Sequence, residues 1–495
     1  MIARFFFNRI RSQPRVYRAL MLTVDQIPWL RRALRYLVNQ TTAPVPDLDE
    51  RDPFLEARSS GSQRATKSCL EAENARFLSG GYPALLGMSQ RLDNEAALLL
   101  VDVSSIVRFD PQTGIQRVVR QLIQEMMTLP TMAFRVEPVY EYRGRYYFAR
   151  RYTHQLLGLS LNESDRVWRP DSEVKPKEGD VFLGLDWAQA MVREAEATLQ
   201  AWKNEGVLLH FVVYDLLPLQ LPQYFPLKFG QEMEEWLRRI ASLADTLQCI
   251  SESVASDLHH FLKELVPLKA KPVIQTFPLA ADFRINNSGK LDAVPGLESV
   301  KDNRVTCLMV GLLHPRKGHA QALAAFEQLW SEGVPVRLVI VGRPGAMNAR
   351  LASRLRHHPQ AKGDNPSLFW LESATDEQLA WLYRNSDFLL AASEGEGFGL
   401  PLIEASLYGL PILARDLGVF REVLGDNAVY FQGLKPDDLS GAIHDYIAAL
   451  KAGKIRFPAP VEHHSWRASA QKLTTNLLST TNCAGKVKSV SVSTE

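Results

Sequence analysis

The chain is poor in cysteine, in net charge and in long apolar runs, and each shortage removes a class of protein. Four cysteines, at 69, 249, 307 and 483, are spread over 495 residues, with no C-x-x-C pair and no histidine cluster of zinc-ligand spacing. That spread argues against a disulfide framework or structural zinc site and points to a reducing, cytoplasmic setting. The formal net charge is only +2, too little for a chain whose whole surface would hold nucleic acid. No stretch approaches the roughly 20 apolar residues of a membrane-spanning helix. Arg9, Arg11, Arg15 and Arg18 interrupt the place where a signal peptide carries its apolar core. The metal-clamp pattern D-x-D occurs once, as Asp47-Leu48-Asp49, inside a polar stretch rather than after a strand. Neither a metal nor a cofactor is expected.

What is present is the composition of a globular enzyme, 46% hydrophobic and 23% charged, in a chain too long for one ordinary core. Residues 1–40 hold eight arginines and one acid, Asp25, interleaved with Phe5, Phe6, Phe7, Trp29 and several leucines. Such a mixture suits either an interfacial helix on anionic lipid or a helical pair packed on the enzyme. Residues 41–66 read as a linker. The first unit, the extension and linker, runs over 1–95.

From residue 96 the pattern alternates between strand and helix. Ala97–Val103 is a nearly continuous apolar run, as a strand buried on both faces requires. Ile115, Val118, Val119, Leu122, Ile123 and Met126 then recur at helical spacing. Further strands are expected at Val181–Gly184, Val207–Tyr214 and Thr246–Ile250, giving one parallel α/β domain over 96–297. After a turn-rich stretch at Phe283–Asp302, a second series predicts strands at Val305–Val310, Val336–Val341, Leu368–Leu371, Phe388–Ala391 and Pro411–Ala414. They make a second domain over 298–478, ahead of a polar tail at 479–495. Two doubly wound domains of this kind present their strand ends, and so their ligand sites, to a shared cleft.

The stretch Ser393–Gly409, SEGEGFGLPLIEASLYG, follows the expected strand Phe388–Ala391. Gly395, Gly397 and Gly399 allow close backbone approach to a ligand, and Pro401 pre-sets the first turn of a helix whose dipole favours anionic oxygens. Glu396 in the loop and Glu404 in the helix could accept sugar or ribose hydroxyls. A glycine turn before a helix, with Glu complementing the dipole, is the plainer reading of the same residues. A dinucleotide fingerprint is discounted, because Leu400 stands at the third glycine position and the motif falls late in the chain. Arg316 and Lys317, within Val310–Gly318, are paired cations at a strand-to-helix turn, where they could neutralise a departing pyrophosphate or form a solvated basic turn. Asp215, after the strand ending at Tyr214, is either an active-site carboxylate or a turn cap. His210, inside that strand, reads as a core histidine.

The string EGFGLP followed by IEA at 403–405 resembles the E-x7-E motif of retaining glycosyltransferase family four. The likeness extends over most of residues 98–475. Thr113-Gly114-Ile115-Gln116-Arg117 resembles the first-domain glycine loop. Cys249-Ile250-Ser251 with Val254 and Asp257 resembles the closing strand and helix of that domain. Pro278-Leu279-Ala280-Ala281-Asp282 precedes the interdomain linker, with Ala280 in place of the usual glycine. The resemblance implies an α/β, GT-B fold: two Rossmann-like doubly wound domains facing a cleft, here with an N-terminal helical extension. It assigns Arg316 and Lys317 to the donor diphosphate, Glu404 to the ribose and Glu396 to the transferred sugar. Gly114 and the backbone of Gly397, Phe398, Gly399 and Leu400 would complete the donor site. Gly342–Gly345 and Leu371–Thr375 would lie near the base. Relatives often carry arginine where this chain has Leu312 and histidine where it has Tyr214. That leaves Arg316 as the phosphate cation and Asp215 as the remaining polar group of the His-Asp pair. A terminal helix over His463–Leu478, with Trp466 in its core, would cross back onto the first domain.

By the same resemblance the reaction is retaining and metal-independent. The acceptor attacks on the face that the diphosphate leaves, and its proton passes to the leaving phosphate, with Arg316, Lys317, Glu396 and Asp215 forming the catalytic group. The partners implied are a nucleotide-diphosphate sugar, guanosine-linked mannose or a related deoxyhexose, and a lipid-linked glycan acceptor of bacterial surface polysaccharide (O-antigen, capsule or exopolysaccharide). The setting would be cytoplasmic, or peripheral at the inner face of the membrane through residues 1–40, with no nucleic-acid partner. The competing readings are a non-catalytic nucleotide- or glycan-binding scaffold and a phosphorylase-like or epimerase enzyme on the same fold.

Overall fold

The computed structural model describes residues 97–108, 114–129, 134–156, 171–264, 271–281, 293–294, 297, 303–345, 347–363, 365–455 and 465–483. The chain divides into two units, Met1–Arg76 and Phe77–Glu495, and every described residue belongs to the second. The amphipathic stretch 1–40, the linker 41–66, Asp47-Leu48-Asp49, Thr113, Asp282 and residues 484–495 lie outside the described residues.

Two sheets carry the fold. The first contains β1 (Ala97–Asp102), β2 (Phe134–Tyr142), β3 (Arg145–Phe148), β4 (Val181–Gly184), β5 (Leu208–Val213), β6 (Thr246–Cys249) and β7 (Val273–Thr276), in the order β3-β2-β1-β4-β5-β6-β7. The second contains β8 (Val305–Val310), β9 (Val336–Val341), β10 (Leu368–Leu371), β11 (Phe388–Ala391), β12 (Ile412–Arg415) and β13 (Val429–Phe431), in the order β10-β9-β8-β11-β12-β13. β4 and β9 are buried at every position, which is why β4 is a continuous apolar run and β9 is apolar at every position but Arg337, with helices on either side. The result is two Rossmann-like domains.

The first sheet is not wholly parallel, as the strand pattern implied. β2 and β3 form an antiparallel hairpin at its edge, closed by Arg143 and Gly144, whose φ values of 53° and 77° are both left-handed. Two such residues suit the two-residue hairpin turn that matches strand twist. Pro138 within β2 hides this strand from a sequence reading. It is tolerated because it falls at the end of the β2–β3 ladder, which pairs from Val139 to Tyr142; its carbonyl still accepts from the Ala149 amide at 2.8 Å, and only the N–H it lacks goes unused.

In each sheet the strand order reverses next to its first strand, between β1 and β4 and between β8 and β11. Crevices outside the carboxyl ends of such neighbours are where doubly wound sheets bind ligands. The terminal helix Trp466–Cys483 packs against the helix Gly114–Thr128 of the first domain, burying Trp466, Ala470, Leu473 and Leu477. Asn476 fixes it further by donating to the Gln248 Oε1 (2.9 Å) and Thr276 carbonyl (3.0 Å). This helix runs to Cys483, past the expected start of the tail at 479.

Candidate active site

The reversal in the second sheet places two loops side by side. The loop after β8 makes a single 3-10 turn at Pro315–Lys317. Gly318, with φ at 73°, then turns the chain into the helix His319–Ser331. A Cβ on Gly318 would lie 2.3 Å from the Ala392 carbonyl oxygen, so only glycine lets this turn meet the end of β11. The loop after β11 carries Ser393–Gly399 and feeds the helix Leu400–Leu407, with Pro401 in its first turn and Gly399 (φ 102°) as its cap.

Glu396 sits between the cations of the neighbouring loop. Its Oε2 is 3.0 Å from Arg316 Nη1, and its Oε1 pairs with Lys317 Nζ. Oε1 also accepts from Ser393 Oγ at 2.7 Å, and Arg316 Nη1 donates to the Gly395 carbonyl at 2.6 Å. Burial alone would raise the Glu396 carboxyl, but Arg316 and Lys317 outweigh it and lower the value from 4.5 to about 2. The Lys317 ammonium is lowered by burial and by Arg316, a shift that Glu396 restrains. Asp215, half-buried at the end of β5, faces the same group from the first domain. Burial raises its carboxyl, and Arg316 and Lys317 act against that. Its Oδ1 accepts from the Leu217 amide at 3.1 Å, so Asp215 is both a turn cap and a member of the charged cluster.

Glu404 is 3% exposed. Arg117 Nη1 of the first domain donates to its Oε1 at 2.7 Å, and Tyr383 Oη donates to its Oε2 at 2.6 Å. Gly114 opens the helix that bears Arg117, exposed and with open space where a Cβ would be. Phe398 is buried, so in that loop segment it is the backbone that can face a ligand.

The three loop glycines also meet demands from within the protein. A Cβ on Gly397 would stand 2.2 Å from the Tyr214 carbonyl oxygen, and one on Gly395 would stand 2.7 Å from Leu217 and Leu221. Gly395 and Gly397 are needed because the first domain presses on the loop, whereas Gly399 meets the need for a left-handed turn. Ser251 Oγ seals the contact by donating to the Gly397 carbonyl at 2.9 Å.

Several neighbours of the site carry no signal of their own in the sequence. Tyr224 donates to Glu394 Oε2 at 2.6 Å across the domains. His314 and His319 are held neutral chiefly by burial, their values lowered to about 4 and about 3, and the Nδ1 atom of each is buried without a hydrogen-bond partner. Arg117, Ser251 and His314 stand inside recognisable motifs, yet nothing in their spacing announces what they touch. His210 is the core histidine expected: it is fully buried, meets Thr246 Oγ1 and is lowered by burial to about 3. Cys249 and Cys307 are buried and free. Among the described residues no group of three or more His, Cys, Asp or Glu side chains is placed to hold a metal ion.

The arrangement offers two cations and a glycine-loop helix start to an anion, with carboxylates on two sides for hydroxyl groups. Such a site suits a sugar linked to a diphosphate. Residues 297–452 match the family model for glycosyl transferases group 1. Over 384 residues the chain is 36% identical to the serotype-specific mannosyltransferase WbdA of Escherichia coli, covering 77% of this chain and 46% of that protein. A D-inositol 3-phosphate glycosyltransferase of Rhodococcus erythropolis is 27% identical over 200 residues, 39% of this chain and 45% of that one. The chain thus spans about half the length of the curated relatives it matches. Among solved structures, the N-terminal domain of Candida albicans trehalose-6-phosphate phosphatase superposes with a TM-score of 0.50 at 12% identity, over 78% of this chain and 97% of that one, a likeness of fold alone.

Proposed function

We propose that this chain, which matches the glycosyl transferases group 1 model over residues 297–452 and is related to a serotype-specific mannosyltransferase, moves a hexose, mannose or a related deoxyhexose, from a guanosine-diphosphate sugar to a glycan acceptor. The observation that carries this reading is the charged cluster at the second-sheet reversal, where Arg316 and Lys317 meet Glu396 under the helix Leu400–Leu407. Arg316 and Lys317 take the donor diphosphate and stabilise its departure. Glu396 takes the hydroxyls of the transferred sugar, and Glu404 takes the ribose diol. Gly114 and the Gly397–Leu400 backbone border the donor.

The acceptor lies on the first domain beside Asp215. Its hydroxyl oxygen bonds to the sugar carbon on the face from which the diphosphate leaves, and its proton passes to the leaving phosphate oxygen. The configuration is retained without a protein nucleophile or metal ion. The product is a bacterial surface polysaccharide extended on a lipid-linked acceptor at the cytoplasmic face of the membrane, to which residues 1–40 attach. A relative named as a serotype-specific mannosyltransferase supports the choice of sugar and product. Among the described residues no helix is long and apolar enough to cross a membrane.

The test is a thermal-shift panel of the purified chain with guanosine, uridine, adenosine and thymidine diphosphates, with and without chelator, followed by transfer from the matching diphosphate mannose. Selective stabilisation by guanosine diphosphate that survives chelator is expected. Stabilisation by another base would replace the donor, chelator-sensitive turnover would remove metal independence, and no shift with any of the four would overturn the donor site.

A further inference from the structure

Glu404 and Glu396, the two carboxylates of one motif, are held in different ways. Glu396 is gripped within its own domain, whereas Glu404 is held from both. Tyr383 comes from the helix Asp376–Asn385 of the second domain and Arg117 from the helix Gly114–Thr128 of the first. Each oxygen of the Glu404 carboxylate accepts from a different donor, Oε1 from Arg117 at 2.7 Å and Oε2 from Tyr383 at 2.6 Å. We propose that Arg117 and Tyr383 are positioning residues that fix the Glu404 carboxylate for the ribose diol, so that the first domain completes nucleotide recognition in the second.

The chemistry favours this. A carboxylate offers about four lone-pair directions, so one donor per oxygen leaves one direction on each for a pair of adjacent hydroxyls. Donors on both oxygens also fix the plane of the group, and a vicinal diol reads that plane. Tyr383 is suited to donate, because burial raises its phenol well above its ordinary value. Its ring is stacked on Tyr408, with centroids 5.6 Å apart and planes 9° apart, which fixes where the hydroxyl points. Burial opposes the charge on Arg117, but Glu404 and Asp376 outweigh it, so the guanidinium value is raised. The inference rests on the reading of Glu404 as the ribose acceptor and adds the residues that make it selective for a diol.

The test compares binding of guanosine diphosphate with its 2′,3′-dideoxy analogue, and the uridine pair in parallel, by calorimetry on the full chain. The variants are Arg117→Ala, Arg117→Lys, Tyr383→Phe and Glu404→Gln. The wild-type chain should prefer the ribose form by about tenfold or more, the scale of hydrogen bonds to a charged group. Arg117→Ala and Tyr383→Phe should bring that ratio towards one, and Arg117→Lys should restore part of it, since an ammonium keeps the charge but not the planar fork. A purely structural role would weaken both nucleotides equally and leave the ratio unchanged, which overturns the inference. If Glu404→Gln collapses the ratio while Arg117→Ala does not, the ribose reading stands and the role of Arg117 falls. If Glu404→Gln also leaves the ratio intact, or the wild-type chain shows no preference, the ribose reading itself is wrong.

Discussion

Glu396 is the counter-charge of two partly buried cations, and that position makes its behaviour with pH and on substitution calculable. Its carboxyl is lowered in the folded chain from 4.5 to about 2. The resulting stabilisation is therefore complete above about 4.5 and is lost as pH falls through about 2. Replacing it by Gln strands Arg316 and Lys317, and removing one partner of a buried pair costs about 3 kcal/mol or more at neutral pH. Urea unfolding should show that loss at pH 7, and the wild-type and Glu396→Gln curves should converge between about pH 4.5 and 2. Curves that stay parallel over that window would mean the carboxylate is not held by the cations. Lys317→Ala addresses the chemistry instead. If its ammonium stabilises the leaving diphosphate, kcat/KM should fall by about 100-fold, with part of the loss in KM because the same group binds the donor before it leaves. Wild-type turnover would remove Lys317 from the site.

The loop that carries Glu396 works as an element because its glycines meet two demands, contact with the first domain at Gly395 and Gly397 and a left-handed turn at Gly399. The sequence shows that the loop is special but not why. Gly397 meets the carbonyl of Tyr214, a residue far away in the chain, and no local pattern can reveal that contact. Gly397→Ala should push the loop off the first domain, break the Ser251 hydrogen bond and lower both the melting temperature and the transfer rate while every charged group remains. Gly409→Ala is the control: its φ of 64° adds strain of about 1 kcal/mol, but its Cβ meets open space. It should lower stability modestly and leave turnover alone. Equal rate losses in both would show that contact between loop and first domain is irrelevant to catalysis. Legibility differs in the same way among strands. β8 through β11 could be read to the residue because parallel strands flanked by helices are dominated by apolar residues, here interrupted only by Thr306 and Arg337. The β2–β3 hairpin escaped because Pro138 falls inside β2 and demotes a run whose charges at Arg135, Glu137 and Glu141 otherwise alternate as in a half-exposed strand. A partner strand that only tertiary structure supplies makes the difference.

Across the whole molecule, the two domains are joined by polar contacts whose partners are remote in the chain. Arg117 meets Glu404, Tyr224 meets Glu394 and Ser251 meets Gly397. Glu422 accepts from the Glu252 and Ser253 amides and the Ser253 hydroxyl, capping the helix Glu252–Glu264 from the other domain. None of these pairs has a periodicity, so the sequence could show the two sheets and their motifs but not the seam between them. The basic start of the chain is legible by composition alone, and its role can be separated from the site because every site residue follows residue 97. If residues 1–40 attach to anionic lipid, deleting them should sharply reduce sedimentation with phosphatidylserine-containing vesicles and leave nucleotide-diphosphate affinity as it was. Sedimentation of the intact chain should also weaken as salt rises from about 0.01 to 1 M, since the screening length shrinks from about 30 to 3 Å. Unchanged sedimentation after the deletion would assign the eight arginines to something other than a membrane. A parallel loss of nucleotide affinity would tie them to the enzyme itself, the other use their spacing among aromatic residues allows.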